Sequence, residues 1–206
     1  MGSSDASLRR AARLLTQGLL VTLFLIFAFA NFHHWQSTGR PSGLGTTILE
    51  GWAAFLFLVR RPPRAVSLTT LAWVAAPIGS FAMLLARPHS GGLAPIAAEG
   101  LQLAGLLLAL ASLGMLGRSF GLVAANRGVK TAGPYGLIRH PAYAGYLVAY
   151  AGYVAENPSL RNVALLCLST AFQLVRIREE ERLLIRDSVY ERYRARVRYR
   201  LIPLLY

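Results

Sequence analysis

The chain has 206 residues, of which 54% are hydrophobic and only 15% are charged. A soluble domain of this size usually carries about a quarter charged residues, so the composition argues against a soluble protein. The net charge of +13 does not require nucleic acid, because the basic residues flank apolar blocks and suit anionic lipid headgroups. The single cysteine, Cys167, excludes a disulfide within the chain. We therefore expect a lipid bilayer as partner and no nucleic acid.

Apolar blocks recur along the chain, and most are long enough for a helix that crosses a hydrocarbon core of about 30 Å. In chain order they are Leu14 to Phe32, Leu44 to Val59, Val66 to Ala86, Ile96 to Leu116, Ala142 to Ala155 and Leu160 to Val175. The fifth block is short for a full span. The pattern predicts an all-α, polytopic transmembrane bundle of about six helices, followed by a cytoplasmic helical tail. We expect one integral membrane domain over 1–206, with four spans in 1–116 and the functional core in 117–206.

The basic residues predict the orientation of these spans. With a cytoplasmic N-terminus, 19 of the 22 Lys and Arg residues fall in cytoplasmic segments, and Arg40, Arg87 and Arg161 fall outside. Cytoplasmic segments of membrane proteins carry such an excess of Lys and Arg. Both termini are therefore predicted to be cytoplasmic.

The first polar motif near a predicted span end is GPYGLIRHPAYAGY, residues 133–146. Pro141 suits the first turn of a helix, and His140 then lies at the N-cap. The free N–H groups of a helix start favour an acceptor or an anion, and Arg139 adds a permanent cation with a forked set of donors. The plainer alternative is a membrane anchor, with Arg139 on a lipid phosphate and the tyrosines in an aromatic belt.

The second polar motif is VRIREEERLLI, residues 175–185. On a helix Arg176 and Glu180 lie four residues apart, on the same face. Three consecutive acids cannot all point the same way, although a solvated helix start would also explain such a run. The predicted topology puts both motifs on the cytoplasmic side, so we expect them to meet. Ionisable groups gathered at span ends indicate a functional site.

Taken in order, four features resemble one family of membrane enzymes: GPYGLIRHPAYAGY, the Asn157-Pro158 pair, RIREEERLLI, and the tyrosine-rich basic tail YERYRARVRYRLIP. They are similar to the isoprenylcysteine carboxyl methyltransferases and their relatives, the phospholipid N-methyltransferases. The resemblance covers roughly the last 90 residues. It implies an α-helical bundle in which S-adenosylmethionine lies in a pocket formed by the last spans and the cytoplasmic tail, and it makes 117–206 the methyltransferase core.

The resemblance also implies roles for individual residues. Cofactor-binding roles fall on His140, Pro141 and Tyr143, and on Glu180 together with Glu179 or Glu181. Catalytic roles at the reacting end fall on Arg139 and Arg176. The acceptor is expected to be a lipophilic small molecule or lipid that carries a carboxylate, phenol, thiol or amine. The tail departs from the family in having RDSVYERY where a Phe-Gly step commonly precedes the tyrosines.

Two other classes of protein stay open at this point. Membrane sterol reductases, which use NADPH, resemble the first motif, but they typically carry Asn and an acid where Ala142 and Tyr146 stand. In a non-catalytic membrane module, His140 and the acids would form only a structural network. No metal site is expected, since the adjacent His33 and His34 would point apart on a helix. The oligomeric state is not indicated by the sequence.

Overall fold

The structure, a computed structural model, describes residues 2–93 and 95–203. The chain divides into two compact units, residues 1–60 and 61–206. The predicted division of function between 1–116 and 117–206 stays a prediction.

The first unit is a hairpin of two long helices, α1 (Gly2–Thr38) and α2 (Pro41–Val59). The turn between them is tight because Gly39 adopts a positive φ of 69°, which glycine reaches without a steric penalty. At the other end of the hairpin the Gln17 side chain donates hydrogen bonds of 2.7 Å to the carbonyls of Phe57 and Leu58. These carbonyls lie in the last turn of α2, where no helical partner follows, so Gln17 satisfies them.

The second unit contains the remaining helices and a small sheet. Its helices are α3 (Thr70–Phe81), α4 (Pro95–Leu116), α5 (Pro141–Glu156), α6 (Leu160–Leu184) and α7 (Ser188–Arg196). Its strands are β1 (Ala65–Val66) and β2 (Ala125–Asn126), which pair antiparallel. Short 3₁₀ turns occupy Ala82–Leu85, Gly117–Ser119 and Gly133–Gly136. Within the unit α4 packs mainly on α5, and α3 packs mainly on α6.

Apolar helices match the predicted blocks, and the all-α membrane fold is confirmed. Within the described residues, four segments are long and apolar enough to cross a membrane: Leu14–Thr38, Pro41–Val59, Pro95–Ser119 and Leu160–Leu184. The segment Thr70–Leu85 is a shorter apolar helix, and α5 has only 16 residues, as expected for the fifth block. One boundary was wrong. Val66 begins no helix, because its backbone pairs with Ala125 of β2, and α3 starts only after Thr69, whose side chain caps it.

Small residues bring α4 and α5 into backbone contact, as close helix packing in membranes requires. A Cβ on Gly145 would lie 2.6 Å from the amide nitrogen of Ala109, and a Cβ on Gly105 would overlap that of Ala149. The two helices can therefore approach this closely only because both positions are glycine. This packing fixes α5, which carries the His140-Pro141 step at its start.

Gly105→Ala is expected to destabilise the second unit by about 1–3 kcal/mol, because the added methyl must push the two backbones apart. Thermal unfolding of the purified protein in detergent measures the effect. Gly114→Ala is the matched control on the same helix, since a Cβ there meets nothing within 4 Å. Equal melting temperatures for Gly105→Ala and the control would contradict the close packing of α4 on α5.

Candidate functional site

The first motif forms the start of α5. Pro141 occupies the first helical turn, and His140 is the N-cap residue with φ −128° and ψ 57°, as the sequence predicts. The C-terminal segment, residues 197–201, runs beside this start. The amide N–H of Arg139 donates to the carbonyl of Tyr199, and that of His140 donates to the carbonyl of Arg200, both at 2.9 Å. The chain's last described part is thus bonded directly to the Arg139-His140 step.

Glu181 joins the two motifs and the C-terminal segment. One carboxylate oxygen accepts a hydrogen bond of 2.8 Å from Nε of Arg139 and lies 3.2 Å from Nε2 of His140. The other oxygen accepts from Nε of Arg200 at 2.9 Å. An ionised carboxylate only accepts hydrogen bonds, so His140 presents a protonated Nε2 to it. The side chain of Glu181 is only 9% exposed, and its charge is therefore matched by two arginines.

Arg139 is buried and bonded within the chain. Its Nη1 donates to the carbonyls of Val197 at 2.8 Å and Arg198 at 2.6 Å, while its Nε binds Glu181. A guanidinium presents donors in a rigid fork, and this fork bridges α6 and the C-terminal segment. With 5% of its side chain exposed, Arg139 does not fit the alternative of an anchor on lipid phosphate.

The three consecutive acids separate, because successive residues on a helix point about 100° apart. Glu179 accepts hydrogen bonds of 2.7 Å from the Thr69 hydroxyl and from Arg182. Glu180 instead accepts from the Tyr143 hydroxyl, and its other oxygen lies 3.8 Å from Nδ1 of His140. The first acid is thus held against the N-cap of α3, and only the second and third reach the Arg139-His140 step.

Glu180 is the most accessible of the three carboxylates. Its side chain is 21% exposed, against 4% for Glu179 and 9% for Glu181. Among the described residues no arginine or lysine forms an ion pair with it, whereas both neighbours bind arginines. Glu180 therefore keeps lone pairs and charge available for a ligand.

Arg176, the other arginine of the predicted reacting end, lies one turn before the acids on α6. Its Nη1 donates to the Ser80 hydroxyl at 2.7 Å and its Nη2 donates to the Leu122 carbonyl at 2.9 Å. The guanidinium carbon lies 5.0 Å from the centre of the Tyr143 ring, a favourable cation–π distance. All these partners are formally neutral. Its Nε is buried without a hydrogen-bond partner among the described residues, so one donor of a buried cation is unused.

Tyrosines and an aspartate fix α7 near the first motif. The Tyr193 hydroxyl donates to the carbonyl of Tyr135 at 2.7 Å, and burial raises the pKa of Tyr193 to about 12, which keeps the phenol a donor. Asp187 caps α7 by accepting from the Val189 amide at 3.0 Å. The hydrogen bond from Asn126 of β2 lowers the pKa of Asp187. These bonds position the segment that leads into residues 197–201.

Sequence reasoning missed three side chains among the described partners of the site: Thr69, Ser80 and Arg200. Thr69 and Ser80 belong to the N-terminal end and the last turns of α3, where an isolated hydroxyl has no distinguishing pattern. Arg200 is one of nine basic residues from Arg176 onward, and nothing in its spacing separates it from the others. Only the Tyr-rich tail as a whole carried a signal.

A comparison with known protein families identifies the part of the chain that carries this site. The apolar helices suit a membrane protein, and one family model supports a methyltransferase. Residues 92–191 match the family model described as phospholipid methyltransferase. This segment contains both motifs, and the family that it matches is one of membrane methyltransferases related to the isoprenylcysteine carboxyl methyltransferases. The resemblance found in the sequence is thereby confirmed. No curated protein matches the chain.

Arg139→Lys is expected to release the C-terminal segment, because an ammonium cannot bridge Glu181 and two carbonyls as the fork does. Limited trypsin digestion in detergent, read by mass spectrometry, should show cleavage after Arg198 and Arg200 at least about tenfold faster, since hydrogen bonds to charged groups contribute about 1.5–3 kcal/mol. Arg186→Lys, an exchange at an exposed arginine, serves as the control. Unchanged cleavage in Arg139→Lys would contradict the bridging role.

Proposed function

We propose that the protein transfers a methyl group from S-adenosylmethionine to a lipophilic acceptor, and that the cofactor binds at the start of α5 and the end of α6. Its binding residues are His140, Pro141, Tyr143, Glu180 and Glu181, with Glu179 as an indirect support through α3. The observation that carries the proposal is the meeting of the Arg139-His140 step with Glu180 and Glu181 inside a segment that matches a methyltransferase family.

The donor set suits this cofactor. S-adenosylmethionine carries a sulfonium, an ammonium and ribose hydroxyls, all of which favour carboxylate acceptors. Glu180 offers such a carboxylate, since it is partly exposed and its nearest described partners are the Tyr143 hydroxyl and the His140 ring. Glu181 is occupied by Arg139 and Arg200, so we assign it the positioning of His140. When bound, the cofactor supplies an electrophilic methyl group, and the protein's part is alignment and desolvation.

Arg176 favours an acceptor with an anionic group. A buried guanidinium without a carboxylate partner is costly unless an anion completes it, and Arg176 has an unused Nε donor among the described residues. A carboxylate or phenolate is already a nucleophile and needs no side-chain base. Arg139 has its described donors on Glu181 and on backbone carbonyls, so we propose that it acts at the reacting end by holding the C-terminal segment.

We further propose that this site faces the cytoplasm, with both termini on that side, as the distribution of basic residues predicts. A lipophilic acceptor then reaches the site laterally from the bilayer, between helices. The alternative of an NADPH-dependent reductase is less well supported, because the chain matches a methyltransferase family model and Glu180 suits a cationic ligand better than a polyphosphate.

Glu180→Gln is expected to weaken binding of S-adenosylmethionine about 10- to 100-fold, because it removes one charge-assisted acceptor from the cofactor. Equilibrium binding of the radiolabelled cofactor to the purified protein measures this directly. Glu191→Gln, which neutralises an exposed acid on α7, is the matched control and should bind as the wild type does. Full binding by both Glu180→Gln and His140→Ala would exclude this cofactor site and favour a non-catalytic module.

Methyl transfer itself is tested with labelled S-adenosylmethionine and acceptors in mixed micelles: prenylcysteine carboxylates, phenolic lipids, aminophospholipids and small lipophilic thiols. We expect label in a carboxylate or phenol product. Arg176→Lys should lower kcat/KM for such an acceptor by about 100-fold, because an ammonium lacks the fork that holds an anion, while cofactor binding stays unchanged. Label only in an aminophospholipid, with no effect of Arg176→Lys, would refute the anionic acceptor.

A further inference from the structure

The Gly79-Ser80 step of α3 contacts α6 beside Arg176. A Cβ on Gly79 would lie 3.2 Å from the amide nitrogen of Gln173 and 3.3 Å from Cδ of Arg176. Ser169 fixes this contact by donating from its hydroxyl to the Gly79 carbonyl at 2.9 Å. The glycine therefore allows a close approach, and the bond from Ser169 holds α3 at that distance.

Because α3 and α6 lie so close together, the Ser80 hydroxyl accepts a hydrogen bond from the guanidinium of Arg176. The distance from Nη1 to the Ser80 oxygen is 2.7 Å, as expected for a charge-assisted N–H···O bond. The second terminal nitrogen donates to the Leu122 carbonyl at 2.9 Å. Two bonds on two nitrogens define the plane of a guanidinium, and of these two partners only Ser80 acts through its side chain.

We propose that Ser80 is a positioning residue for the acceptor: it fixes the plane of the Arg176 guanidinium and thereby the direction of the unused Nε donor. The inference rests on the proposed function. It extends the site to α3, since residue 80 lies before the segment 92–191 that matches the methyltransferase family. Without the Ser80 hydroxyl, Arg176 keeps its charge, its bond to Leu122 and its place beside the Tyr143 ring, but it loses one of the two hydrogen bonds that fix its plane. The acceptor then meets a guanidinium whose charge is unchanged but whose plane is no longer fixed.

The test compares steady-state methyl transfer by the wild type, Ser80→Ala and Ser80→Thr with the anionic acceptor that the wild type uses. Ser80→Ala should raise KM for the acceptor about tenfold, the effect of losing one hydrogen bond to a charged group, and should leave KM for S-adenosylmethionine unchanged. Ser80→Thr keeps the hydroxyl and should restore the acceptor KM. Ser112→Ala is the control, because Ser112 is a buried serine whose hydroxyl bonds only to the Leu108 carbonyl among its described partners.

A second measurement separates positioning from a structural role. In the Arg176→Lys background, Ser80→Ala should have no further effect on the acceptor KM, because the residue through which it acts is already altered. Equal losses in both backgrounds, or wild-type acceptor KM in Ser80→Ala, would overturn the inference while the proposed function stands. No methyl transfer by the wild type to any acceptor would overturn both.

Discussion

The candidate site depends on the ion pairs that the Glu181 carboxylate forms. A carboxylate that is 9% exposed must be matched by cations, and here they come from two directions: Arg139 at the start of α5 and Arg200 in the C-terminal segment. Removing one partner of such a buried pair leaves an uncompensated charge, which costs far more than the net contribution of the pair. The charge therefore forces the C-terminal segment to stay on the helix start, and it orients the His140 ring between two acids.

The ion pairs of Glu181 can fix the start of α5 because packing against α4 holds the rest of that helix in place. Gly105 and Gly145 let α4 and α5 meet backbone to backbone, so the position of Pro141 is set by close packing of small residues. Polar bonds at the N-cap then act on a fixed helix start. A division of this kind is expected where a site lies at the end of a membrane helix, because apolar packing among small residues replaces the hydrophobic effect between spans.

The sequence predicts the helices well and the site partly, and the difference has a physical cause. Long apolar blocks must form helices in a bilayer, so all six blocks have a helical counterpart. A short strand such as Ala65–Val66 has no comparable signal. The meeting of the two motifs was predictable from charge placement. The separate directions of Glu179, Glu180 and Glu181 depend on the rotation of α6 about its axis, which Thr69 and Arg139 set and which no local pattern reveals.

The two arginines show why chemical likeness in sequence does not imply like roles. Both are buried cations near the acids, yet Arg139 has an anionic partner and two carbonyls, while the partners of Arg176 among the described residues are neutral. Charge compensation therefore differs between them: among the described residues Arg139 is paired with a carboxylate, and Arg176 is not. An acceptor that brings a negative charge would stabilise Arg176 as it binds, so affinity and orientation would come from the same contact. A neutral or cationic acceptor would leave that charge uncompensated beside the Tyr143 ring.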